Sequence, residues 1–156
     1  MQSQSWLNIA LNELGVAEIR NGDNQKIIEY HRTTLLSAKN DETPWCSSFV
    51  NWVLMKAGLE RTKNAAARSW LNYGHAMKNP VPGSIMVLSR NGNPEAGHVG
   101  FYYKDLDKNN FYLLGGNQGD KVSIQAFPKN RILAIRWPLK IEDKKPEIKK
   151  ENKNGK

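Results

Sequence analysis

The chain has 156 residues, 39% of them hydrophobic, with a formal net charge of +8, one cysteine and three histidines. That length suits one domain that buries a core without disulfide or metal support. A single cysteine excludes an internal disulfide and any zinc site built on several thiolates, and His31, His75 and His98 show no ligand spacing, so neither a metal nor another cofactor is expected. The charge is dispersed, since the last sixteen residues contribute +2 and residues 1–140 the remaining +6. Such a surface would suit an anionic polymer, yet no motif of a nucleic-acid-binding module is present, and solubility is the simpler account of the charge alone. Met1 to Trp6 lack the basic and apolar regions of a secretory signal. No apolar run approaches the roughly 18 residues of a membrane helix. Synthesis as a soluble cytoplasmic chain is therefore expected.

In chain order, Trp6, Ile9, Ala10, Leu14 and Ala17 recur at helical spacing, with Gly15 interrupting near the end. Asn21 to Asn24 is a turn cluster, and Ile27, Ile28, Tyr30 and His31 predict a second short helix. Thr43 can cap a third helix, with Pro44 at its first position. That helix runs through Phe49, Val50, Val53, Leu54 and Ala57 to Gly58, apolar on nearly all sides and hence buried. Ala65 to Tyr73 reads as a further helix closed by Gly74. From Pro80 onward the pattern turns to strands: Ser84–Leu88, His98–Tyr103, Phe111–Gly115, Val122–Phe127 and Ile132–Trp137. Helices followed by about five antiparallel strands, with no internal repeat, make an α+β domain over residues 1–140. Residues 141–156 carry six lysines, four acids and two aliphatic side chains, the composition of a disordered tail.

The one cysteine, Cys46, falls at the start of the third helix. Unpartnered backbone N–H groups and the helix dipole there stabilise a thiolate, so a lowered pKa and a nucleophilic role are expected. Taken alone, a free cysteine is more often a buried structural thiol; its place in a first turn makes the two readings about equal. Fifty-two positions later His98 stands in Gly97-His98-Val99-Gly100, and glycines in a strand allow another backbone or a ligand to approach closely. A hairpin about a loop near Asp107 puts His98 beside Gly116 and Asn117 next to it. Asn117 could then accept the imidazole Nδ1–H and turn Nε2 toward the thiol. Asp41 or Glu42 is an alternative for that third role, with Glu42 held in reserve. Trp45, beside the thiol, is the tryptophan best placed to line a cleft, and Gln118 is a candidate contact to substrate or oxyanion.

Four ordered motifs carry a resemblance: Pro44-Trp45-Cys46-Ser47-Ser48-Phe49-Val50-Asn51-Trp52-Val53-Leu54, Ala67-Arg68-Ser69-Trp70-Leu71, Gly97-His98-Val99-Gly100-Phe101-Tyr102 and Gly115-Gly116-Asn117-Gln118. Over Trp6 to Pro138 the chain resembles the CHAP and NlpC-type cysteine peptidases and amidases, most of all a subgroup of phage lysins and secreted antibacterial toxins. The resemblance implies a papain-like α+β fold and hydrolysis of peptidoglycan amide bonds, with Cys46 as nucleophile, His98 as base and Asn117 in the third position. Relatives often use a second histidine or a glutamate there. The implied partners are bacterial peptidoglycan and an immunity or inhibitor protein, for a monomer that binds no nucleic acid. Delivery to the wall would run through a secretion system or a holin. A deamidase or transglutaminase on the same thiol, or a non-enzymatic wall-binding module, are the alternative readings.

Overall fold

The computed structural model describes residues 5–141. Residues 142–156, nearly all of the expected tail, lie outside the described residues. Three α-helices come first: α1 (Ser5–Leu11), α2 (Gln25–His31) and α3 (Cys46–Lys56). A short 3₁₀ segment, Ala67–Trp70, replaces the fourth helix expected over Ala65–Tyr73. Six strands follow, β1 (His75–Ala76), β2 (Ile85–Ser89), β3 (Gly97–Asp105), β4 (Asn110–Gly115), β5 (Ser123–Pro128) and β6 (Ile132–Trp137). They form one sheet of order β1-β6-β2-β3-β4-β5, with every neighbouring pair antiparallel. The five strands expected from the sequence are all present, and the two-residue β1 is the addition.

Local chemistry explains the element ends. Asn24 caps α2 by accepting the Lys26 N–H. Thr43 does not cap α3; its N–H and hydroxyl both donate to Asn40 Oδ1 in the preceding loop. The chain stays extended through Pro44, Trp45 becomes the cap residue without a side-chain cap bond, and Cys46 opens the helix. From Cys46 to Leu54 every residue of α3 is buried, as expected of a helix apolar on nearly all sides, and the polar Ser47, Ser48 and Asn51 are buried with the rest.

The side-chain period of two divides the sheet's contacts. Ile85, Val87, Val99, Phe101 and Leu114 face the helices and join Phe49, Val50, Val53 and Trp70 in the main core. Met86, Leu88, Tyr102, Phe111 and Leu113 form a second cluster with Phe127, Ile132 and Ile135. A simple length argument shows how that second face is covered. Only Lys129–Arg131 separates β5, at one sheet edge, from β6, four strands away. The link reaches at most about 14 Å, whereas a flat sheet would hold those strands about 19 Å apart. The sheet therefore curls, and its concave side encloses the second cluster.

Candidate active site

The loop that leads into α3 is fixed before the thiol is reached. Buried Asp41 accepts the backbone N–H groups of Ile19 and Asn24 through Oδ2, at 2.9 and 2.8 Å. Asp41 therefore anchors this loop and does not orient His98, while Glu42 is exposed. The first turn of α3 is held on two sides. Ser47 Oγ donates to the Asn64 carbonyl at 2.6 Å and accepts from Trp70 Nε1 at 2.8 Å. Ser48 Oγ meets His31 Nδ1 at 2.8 Å.

Cys46 is thus the first residue of a buried helix, and the residue is 6% exposed. Burial pushes the thiol pKa up from its ordinary value, against the lowering expected of a helix terminus. The backbone amides of Val99, Ser47 and Cys46, together with the Arg90 charge, do act to lower it. The helix end contributes as foreseen, but desolvation of a fully enclosed sulfur outweighs it. Val99 sits next to His98 on β3, so the thiol faces the strand that carries the histidine.

His98 is 1% exposed, and its Nε2 lies 2.8 Å from Gln118 Oε1. The Gln118 amide nitrogen donates to the carbonyls of Leu113 and Ser123, at 3.2 and 2.8 Å, which fixes which end of the amide faces the ring. Nε2 therefore carries the proton and donates to Gln118. Nδ1 is left as an acceptor, and Arg90 Nη2, which can only donate, lies 3.2 Å from it. Among the described residues the thiol and the imidazole share no hydrogen bond, and Arg90 occupies the basic nitrogen. Burial, followed in smaller part by the charges of Arg90 and Arg131, pulls the His98 pKa down to about 4, against the opposing effect of the Gln118 bond. At neutral pH the imidazole is uncharged.

Three expectations need correction. His98 is oriented by Gln118 through Nε2, and not by Asn117 through Nδ1. The hairpin register differs by one residue from the expected one, because Phe101 pairs with Leu114 and Tyr102 with Leu113, and a bulge at Tyr103 shifts it again. Asn117 takes a left-handed turn conformation, φ 60°, and lies on the rim of the cavity beside His98. Gln118 is not free to contact substrate or oxyanion, since its oxygen and its amide nitrogen are both engaged within the fold. Trp45 does not line a cleft. It is fully buried, donates its indole N–H to Glu18 Oε2 at 2.9 Å, and packs against Gly116.

The glycines near the site have packing reasons. A Cβ on Gly116 would stand 2.8 Å from Phe49 Cβ and from the Trp45 ring, so glycine lets the end of β4 approach the start of α3. A Cβ on Gly115 would collide with Gln118 Oε1. Gly100 is close to Leu113 and the Leu114 carbonyl, which accounts for it without a ligand.

A cavity of about 280 Å³ opens beside His98, walled by Arg90, Gln118, Gln125, Phe127 and Arg131 among others. The larger cavity of about 360 Å³, between Tyr102, Lys78 and Lys129, touches neither Cys46 nor His98. No cluster of metal-ligating side chains occurs among the described residues. Sequence reasoning missed Arg90 and Arg131, because no motif marks them; the pairing of β2 with both β3 and β6 brings the end of β2 and the start of β6 to the histidine.

The family model described as "CHAP domain" matches residues 38–117, a stretch that holds Cys46 and His98 and stops one residue short of Gln118. Among solved structures, the fold is similar to that of a protein from Staphylococcus aureus subsp. aureus Mu50 described as similar to a lipoprotein of the NLP/P60 family. The TM-score is 0.50 at 18% identity, over 87% of this chain and 41% of that one. An NlpC/P60 family protein from Bacillus cereus ATCC 10987 gives a TM-score of 0.50 at 14% identity, over 86% of this chain and 39% of that one. At such identities the likeness is one of fold, and the chain spans about two fifths of the length of these proteins. No curated protein matches.

Proposed function

The chain belongs to the CHAP domain family, and we propose that it is a cysteine peptidase or amidase that hydrolyses amide bonds of the peptidoglycan stem peptide. The observation that carries this reading is a thiol at the first position of a buried helix, facing the strand of a histidine whose far nitrogen is held by Gln118. In the proposed reaction His98 Nδ1 takes the Cys46 proton as the sulfur attacks the scissile carbonyl. The Cys46 N–H and the α3 dipole favour the developing oxyanion. The tetrahedral intermediate collapses to a thioester, and the amine leaves with the proton returned by His98. Water, deprotonated by the same nitrogen, then releases the acid and restores the thiol. Gln118 keeps the proton of the resting ring on Nε2 throughout.

Both groups are neutral at rest, so proton transfer belongs to the substrate-bound state and not to a preformed ion pair. Such a substrate lies outside the cytoplasm. We therefore read the chain as acting on the wall after delivery by a secretion system or a holin, whether as lysin or as antibacterial effector. Incubation of purified sacculi with the parent protein and with Cys46→Ala, followed by mass spectrometry of the released muropeptides, tests the proposal. New peptide-bond cleavage by the parent alone is expected. Equal release by the variant would refute the mechanism, and no release by either would refute the substrate.

A further inference from the structure

We propose that the cavity between Arg90 and Arg131 is a carboxylate subsite that binds a free carboxylate of the peptide substrate beside His98. The inference rests on the peptide-hydrolase reading above and names what that site recognises. Two guanidinium groups wall one small cavity, and no acidic residue lines it. Neither arginine forms an ion pair among the described residues, where the salt bridges are Lys26–Glu13 and Lys129–Asp105. Both are instead braced on backbone carbonyls. Arg131 donates to the Ser89 carbonyl through Nε and Nη2, at 3.0 and 2.8 Å, and Arg90 Nε donates to the Gly97 carbonyl at 3.3 Å. Each fork retains unused N–H donors, the arrangement that takes a carboxylate in bidentate fashion.

The surroundings hold the pair in place. Phe127 lies 5.2 Å from the Arg131 guanidinium carbon and 5.4 Å from the His98 ring centroid, so one aromatic ring backs both groups. Two like charges held this close oppose each other, and Arg90 indeed acts to lower the Arg131 pKa, after burial. An anion between them relieves that repulsion. It also offers Arg90 a better partner than His98 Nδ1, now 3.2 Å away, and so frees the basic nitrogen for the thiol. Carboxylate binding and readiness of the base are thereby linked.

Two arms test the proposal separately from the reaction itself. In the first, soluble stem peptides with a free carboxylate or the matching carboxamide are given to the parent, Arg131→Gln and Arg131→Lys. The parent should prefer the carboxylate by about tenfold or more in kcat/KM, with most of the difference in KM. That preference should fall below about twofold in Arg131→Gln and persist in part in Arg131→Lys. Equal use of both peptides by the parent, or an unchanged preference in Arg131→Gln, overturns the proposal.

The second arm needs no turnover. The His98 ring is followed by NMR during titration of the full chain with acetate, at ionic strength held constant with chloride. Acetate should raise the His98 pKa in the parent and leave it unmoved in Arg131→Gln that folds normally by circular dichroism. No response of the parent to acetate overturns the subsite. A response to inorganic phosphate but not to acetate overturns its assignment to carboxylate. If acetate binds and sacculi are untouched, the subsite stands while the proposed substrate falls.

Discussion

His31 and His98 are both buried histidines with one ring nitrogen 2.8 Å from a neutral side-chain oxygen, Ser48 Oγ for the first and Gln118 Oε1 for the second. Burial lowers the pKa of both. The second nitrogen separates them. His31 Nε2 is buried near the backbone of Asn40 and Thr43, without a partner at hydrogen-bond distance among the described residues. His98 lines a cavity, its Nδ1 meets Arg90 Nη2, and it sits one residue from the amide that faces the thiol. Burial and an orienting partner are common to both sites, so neither makes a base. Under the proposed mechanism, the surroundings of the other nitrogen do.

Removing each ring gives the largest expected effect. His98→Ala should slow peptide hydrolysis by about 10³-fold or more, the scale of a lost general base. It should leave unfolding in urea far less affected than activity. His31→Ala should do the reverse, costing about 2–3 kcal/mol of stability through a cavity and a stranded Ser48 hydroxyl, with kcat within about threefold. Rates and unfolding curves measured on the same preparations check this. A folded His31 variant that loses activity as steeply as the His98 variant would break the contrast.

Acid stability sharpens it further. The folded His98 pKa is about 4 against an ordinary value of 6.5, so between these limits the unfolded chain binds more protons than the native one. The stabilisation is complete above about pH 6.5, declines as pH falls toward 4, and loses nothing further below that, a total of about 3 kcal/mol. His31 titrates in the same direction and adds to the loss. Urea unfolding at pH 7.5 and 4.5 should show the decline, and His98→Gln should remove the larger part of it. Identical stability of the parent at both values would contradict the argument. Alkylation of Cys46 by iodoacetamide should likewise be slow at pH 7 and keep rising beyond the ordinary thiol range, since burial holds the pKa up.

The elements were legible where one local signal decided them. The apolar all-round pattern of α3 and the short apolar run of β2 follow from composition alone, and both are buried as it required. The start of α3 was misread by two residues because Thr43 and Pro44 carry start signals, while the chain instead turns about Asn40, which accepts from Thr43, and the helix opens after Trp45. That β3 packs against α3 was legible from helices followed by strands. The electrostatics of the site were not. The pKa of Cys46 depends on how tightly the rest of the fold encloses it, and Arg90 and Arg131 meet because β2 pairs with β6, a non-sequential strand order that no local signal reveals.

The smallest effects test the one-residue shift in the hairpin. Gln118→Ala should lower kcat by about 10- to 100-fold, the worth of an orienting hydrogen bond to a buried ring. Gln118→Glu should raise the His98 pKa, because a carboxylate then faces Nε2–H, while its second oxygen loses the bonds to the Leu113 and Ser123 carbonyls and lowers stability. Asn117 is the control. Its left-handed φ of 60° makes Asn117→Ala strained, at a cost of about 1 kcal/mol, so Asn117→Gly is the cleaner change. Glycine keeps the turn and removes only the amide. Hydrolysis by Asn117→Gly should stay within about threefold of the parent, with the His98 pKa unmoved by NMR. A fall as large as that of Gln118→Ala would mean that Asn117 orients the imidazole during turnover, and that Gln118 is its partner only at rest.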